Sequence, residues 1–104
     1  MTLSRAGSPT PPAVSEELGR VVERWRQLPL DHALSRMPSV AALVQSLADR
    51  VAASRDVPRQ PVPDLGPAVV MDQLTVMVHD LCRAEPDADP AEVAKELAGI
   101  RRSL

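Results

Sequence analysis

The sequence predicts an all-α protein, a small bundle of about four helices. Of its 104 residues 44% are hydrophobic, mostly Ala, Val and Leu, whereas the aromatic share is 1%, with one Trp and neither Tyr nor Phe. Ala and Leu favour helices, and the aromatic residues that favour strands are nearly missing. Apolar residues also recur at helical spacing in segments that prolines separate. This length suits one domain, which we expect to span residues 14–104.

The first 13 residues, MTLSRAGSPTPPA, are mostly small or proline. Such a stretch buries too little apolar surface to offset the entropy of ordering it, so we expect a disordered tail. It has no apolar run of the kind that a secretory signal contains.

The first helix is predicted over residues 15–28, with Ser15 as its N-cap and Pro29 ending it. Glu16 and Glu17 suit the positive end of the helix dipole. One apolar stripe is formed by Val14, Leu18, Val21, Val22, Trp25 and Leu28.

Residues 30–38, LDHALSRMP, are predicted to form one short turn that Pro38 closes. The second helix then spans residues 39–54, with Ser39 as its N-cap. Its apolar stripe consists of Val40, Leu43, Val44, Leu47, Ala48 and Val51.

The segment 55–66 is predicted to be an extended, Pro-rich connector. It contains Pro58, Pro61 and Pro63, and Pro67 follows directly. A PxxP recognition motif at Pro58–Pro61 is the less favoured alternative.

The third helix is predicted over residues 67–84, since Pro67 suits a first helical position. Its stripe consists of Val70, Met71, Leu74, Met77, Val78 and Leu81. Val69 and Val76 fall off this stripe and form a small second apolar strip. The β-branched residues leave a strand as an alternative, but the segment's length and period favour a helix.

The fourth helix is predicted over residues 90–103. Asp89 suits the N-cap, Pro90 the first helical position and Glu92 the capping-box position. Val93, Leu97, Ile100 and Leu104 line one face.

The sequence contains no recognisable set of catalytic, cofactor-binding or metal-ligating residues. His79 and Cys82 share a helix surface with Asp72, but the spacing matches no known metal motif. A Cys82–His79 dyad would lack an oxyanion-hole loop. The four glycines are scattered, so no phosphate-binding loop is present. We therefore expect no enzymatic activity and no cofactor.

Charge and cysteine content predict a cytoplasmic protein whose surface has no strong overall electrostatic field. Twelve basic and 14 acidic residues give a net charge of −2, which makes nucleic acid an unfavoured partner and gives no attraction to a membrane. The single cysteine excludes an internal disulfide, and no apolar run is long enough to span a membrane. Eleven of the basic residues are Arg, which is typical of coding in a high-GC bacterium.

The function that we expect is that of a small helical protein–protein interaction module, a homodimer or the accessory partner of a larger protein. The off-stripe valines, the adaptable methionines and the long connector favour this interpretation. The alternative is a small DNA-associated transcriptional regulator, which would need an arginine face formed by Arg20, Arg24 and Arg101. Trp25 is either the one large core residue or a partner anchor. The candidate interface residues are Val69, Val76, Met71, Met77 and Trp25.

Overall fold

A computed structural model describes residues 10–104, which form four α-helices. They are α1 (Pro12–Arg26), α2 (Leu30–Ser54), α3 (Val70–Ala84) and α4 (Pro90–Ser103). The predicted all-α class is confirmed. Residues 1–9 of the predicted tail lie outside the described residues, whereas Pro12 and Ala13 are already helical. Over residues 10–104, no helix combines the length and the apolar character needed to cross a bilayer.

Helix α1 begins three residues before the predicted cap at Ser15. Pro12 occupies the start of the helix, where its missing N–H costs nothing. The Pro11 carbonyl accepts hydrogen bonds from the N–H groups of Val14 and Ser15, both at 3.0 Å. Ser15 is therefore inside the first turn, and its hydroxyl donates to the Pro12 carbonyl at 3.4 Å.

Helix α2 is continuous through Pro38, so the predicted break at this residue is wrong. Proline removes one intrahelical hydrogen bond, but Pro38 and Leu34, whose carbonyl loses that bond, are both exposed to solvent. The buried face also runs through the proline, because Ala33 lies in the core and Met37 packs against it. Burial of this face on both sides of Pro38 holds the two parts in one helix. Ser39 is consequently an interior residue and not an N-cap.

Helix α3 begins after a turn, whereas α4 begins at a side-chain N-cap. Residues 67–69 form a turn, and α3 begins at Val70, three residues later than predicted. The turn is set by Gly66, whose φ of +90° suits a residue without a Cβ. The bounds of α4 match the prediction, and the Asp89 carboxylate accepts a hydrogen bond from the Ala91 N–H at 3.0 Å.

Two helix pairs, α1 with α4 and α2 with α3, make the larger interhelical interfaces. Their apolar stripes join in one cluster to which all four helices contribute. The largest fully buried members are Leu47, Leu74, Leu81, Leu97, Val14, Val21, Val40, Val44, Val70 and Val78. The core is thus built from aliphatic side chains of moderate size.

Polar contacts tie neighbouring helices together at the edges of the core. Glu17, only 9% exposed, accepts hydrogen bonds from Arg101 Nε at 2.7 Å and Arg20 Nη1 at 2.8 Å. The hydrogen bond from Arg101 does most to hold the pKa of the Glu17 carboxyl below its ordinary value of 4.5, against the opposing effect of desolvation. Between α2 and α4, Arg50 Nη1 lies 3.1 Å from Glu96 Oε2.

Candidate interaction groove

An open apolar groove of about 530 Å³ lies between the C-terminal half of α2, the Pro-rich connector and α3. We call it the α2–α3 groove. Most of its surface is aliphatic or proline, and charged side chains stand at its edges. Its lining consists of Ala48, Val51, Ala52, Arg55, Val57, Pro58, Gln60, Pro61, Val62, Pro63, Asp72, Gln73, Val76, Met77 and Asp80.

The connector wall of the groove is fixed by two glutamine side chains. Gln45 Oε1 accepts a hydrogen bond from the Val62 N–H at 2.8 Å, and Gln45 Nε2 donates to the Gln60 carbonyl at 3.1 Å. From the opposite side, Gln73 Nε2 donates to the Pro63 carbonyl at 2.9 Å. These bonds hold the main chain of a segment already stiffened by proline, so the connector wall is fixed by contacts within the chain itself.

The corner at which α2 meets the connector is a left-handed turn. Asp56 has a φ of +55°, and the Val57 N–H reaches back to the Ala52 carbonyl at 3.0 Å while the Asp56 N–H reaches Ala53 at 3.2 Å. This is the Schellman arrangement that satisfies the last carbonyls of a helix. It directs the chain across the groove and leaves Val57 51% exposed at the rim.

The α3 side of the groove presents an acidic edge with an apolar centre. Asp72, Val76 and Asp80 follow one another at four-residue intervals and therefore lie along one face of the helix. Val76 is 51% exposed. Asp80 forms an ion pair with Arg83, whereas the carboxylate of Asp72 has no hydrogen-bond or ion-pair partner within residues 10–104.

The predicted interface residues separate into three groups. Val76 and Met77 line the groove. Val69 is half-buried at the N-cap of α3 and does not line it. Trp25 and Met71 are each only 7% exposed and belong to the core, in contrast to their placement at the candidate interface.

Trp25 is held from two sides, which explains its burial. Its ring lies in the core cluster, and its Nε1–H donates to the Pro67 carbonyl at 3.0 Å. A smaller depression of about 360 Å³ lies beside it, with Leu30 exposed at the rim. Asp72 borders both this depression and the α2–α3 groove.

His79 and Cys82, the residues weighed for metal binding or catalysis, both lie on α3. Within the described part of the chain, no three His, Cys, Asp or Glu side chains come close enough together to hold a metal ion. Cys82 is buried, and desolvation raises the pKa of its thiol. His79 is half-buried on α3.

The arginines of the alternative, DNA-associated function are engaged within the molecule. Arg20 and Arg101 both bind Glu17, and Arg24 Nη2 donates to the main-chain oxygen of Leu104 at 3.3 Å. Arg24 and Arg101 thus bridge the first and last helices, and Arg20 pairs with Glu17 on its own helix, so the three donors do not form an unoccupied row.

Two structurally important residues, Glu17 and Gln45, were not singled out from the sequence. Glu17 was expected only to interact with the helix dipole, and Gln45 lies outside the predicted apolar stripe of the second helix. Their partners lie 84 and 17 residues away, so helical periodicity carries no signal for either contact. Comparison with protein-family models, with curated proteins and with solved structures gives no match for this chain.

Proposed function

We propose that this chain is a small cytoplasmic protein–protein interaction module that receives a segment of a partner protein in the α2–α3 groove and catalyses no reaction. The observation that carries the proposal is the apolar groove, whose connector wall is fixed by Gln45 and Gln73. Exposed apolar surface with a polar rim is typical of protein-binding sites. The half-exposed Val76 at its α3 edge marks the place where a partner side chain would be desolvated.

The groove's shape favours an accessory role with a different protein over the homodimer. A concave surface is complementary to a convex one, such as the ridge of a helix, and two copies of the same groove do not fill each other. The homodimer version remains testable by light scattering across a dilution series. A strictly monomeric mass at high concentration would rule out the homodimer.

The test of partner binding compares Val76→Asp with a matched control, Leu34→Asp. Both native side chains are 51% exposed on helices, but Leu34 lies outside the groove. Each variant and the unaltered chain are used to capture proteins from a lysate of the organism that encodes it. We expect one protein to be retained by the unaltered chain and by Leu34→Asp and lost with Val76→Asp.

Circular dichroism checks that both variants keep their helices. If every captured protein is retained equally by the two variants, the groove is not the binding surface and the proposal fails.

A further inference from the structure

We propose that the segment received by the α2–α3 groove is an amphipathic helix whose edge toward α3 carries two basic side chains about two turns apart. This inference rests on the proposed function and adds the chemistry of the partner. It is carried by the charge pattern of α3 and by the proline content of the connector.

The acidic edge sets the spacing of the basic residues. Asp72 and Asp80 are eight residues apart, which corresponds to about 12 Å along the helix axis at 1.5 Å per residue. Val76 lies between them and is exposed, so the complementary surface is apolar at its centre and basic at both ends. On a partner helix, basic residues seven or eight positions apart have this separation and share a face.

Both carboxylates can accept such partners. Asp72 is exposed and unpaired within residues 10–104, so binding it breaks no contact there. Asp80, with 20% of its side chain exposed, shares its charge with Arg83 three residues along the same helix, and pairs at this spacing are weak enough to rearrange. On the α2 side of the groove, the C-cap residue Arg55 is the one cation of the lining and has no ion pair in the described residues. The bound helix therefore has a basic edge toward α3 and an acidic or neutral edge toward α2.

The connector excludes an extended strand as the occupant. Pro58, Pro61 and Pro63 line the groove and have no N–H to donate, so this wall cannot serve as one side of a β-ladder. At its centre, the Gln60 and Pro63 carbonyls and the Val62 N–H are already engaged by Gln45 and Gln73. A strand placed here would leave its own main chain without partners, whereas a helix satisfies its main chain internally.

The experiment is a display selection with a defined library. Peptides of about 18 residues, five helical turns, carry a stripe of Leu, Ile, Val, Met or Ala, and every other position is free to be Lys, Glu or Gln. The full chain is the target, and binders of the Val76→Asp variant are removed. We expect the surviving peptides to carry Lys at two positions seven or eight apart beside the stripe.

Charge reversal then tests the assignment to Asp72 and Asp80. For a selected peptide, Asp72→Lys with Asp80→Lys should lower the affinity at low salt by up to about 25-fold, since each of the two ion pairs contributes up to about fivefold. Replacing the two Lys of the peptide by Glu should restore binding to this variant. Asp87→Lys, an exposed acid between α3 and α4, is the matched control and should leave the affinity unchanged.

The outcomes separate this inference from the function on which it rests. Binders that depend on Val76 but have a neutral or acidic edge, or that ignore the charge reversal, overturn the basic helix and leave the interaction module standing. Self-association that Val76→Asp abolishes makes a second copy the occupant and also overturns the inference. If no peptide binds in a Val76-dependent way, the helix inference fails, whereas the interaction module fails only if capture with Val76→Asp and Leu34→Asp also shows no difference.

Discussion

At the scale of single residues, Trp25 is the side chain on which the aliphatic core most depends. The other members of the core are mostly Val and Leu, and Trp25 is the one aromatic side chain among them. The hydrogen bond from its Nε1–H to Pro67 also joins α1 to the turn before α3. The one aromatic residue therefore combines packing with a tertiary polar contact.

We expect Trp25→Ala to lower the free energy of unfolding by about 3–5 kcal/mol, because it leaves a cavity that the helices cannot fill. Trp25→Phe keeps a ring and loses the hydrogen bond, so its cost should be nearer 1–2 kcal/mol. Urea denaturation followed by circular dichroism measures both. A neutral Trp25→Ala would show that the indole lies on the surface in solution.

At the scale of helices, α2 shows how tertiary packing overrides a local helix-breaking signal. Its 25 residues contain Pro38, yet Ala33 and Val40 on either side are buried in the same core. The spacing Ala33, Met37, Val40 and Val44 continues one helical stripe through the proline. The sequence contains this stripe, but its proline predicts a break in the helix where the spacing predicts continuity.

We expect Pro38→Ala to raise the free energy of unfolding by about 2 kcal/mol. Removing a helix-interior proline relieves about 3 kcal/mol, from which up to about 1 kcal/mol is lost as the unfolded chain gains freedom. Ser39→Ala is the discriminating control. In a continuous helix it should be neutral or slightly stabilising, whereas loss of an N-cap would destabilise the protein by about 1 kcal/mol. Thermal denaturation of the two variants measures the difference.

At the scale of the whole molecule, the four helices are held together by the shared core and by a few polar contacts at its edges. Glu17 on α1 is the most buried of the charged residues that take part, and Arg101 on α4 is its principal partner. Their contact closes the pair formed by the first and last helices.

Acid should therefore weaken the fold partly through Glu17. Because its pKa is lowered in the folded state, its contribution is fully present above the unfolded value of 4.5 and is lost as the pH falls through the lower folded-state pKa. We expect stability to fall below about pH 4.5 and this fall to be shallower in Glu17→Gln. Chemical denaturation at a series of pH values tests this, with Glu16→Gln, an exposed neighbour, as the control. If the free energy of unfolding falls equally steeply with pH in both variants, Glu17 is not a source of the acid sensitivity.

The candidate site could be predicted only in part. Val76 was identified because it falls off the apolar stripe of α3, and it does line the groove. Met71 and Trp25 were included for their residue types, but each lies on a stripe, and the stripes are what the core buries. The connector was expected from its prolines, whereas its role as a wall depends on Gln45 and Gln73.

The sequence by itself determined the all-α class, the apolar face of each helix and the bounds of α4, because these depend on periodicity and on capping residues a few positions apart. Only the tertiary structure decided that α2 continues through Pro38, that Glu17 pairs with Arg101 and that α2, the connector and α3 enclose a groove. The physical reason is the distance along the chain over which each interaction acts. Local signals specify which face a helix buries, whereas packing between distant segments decides what that face meets and which apolar side chains stay exposed.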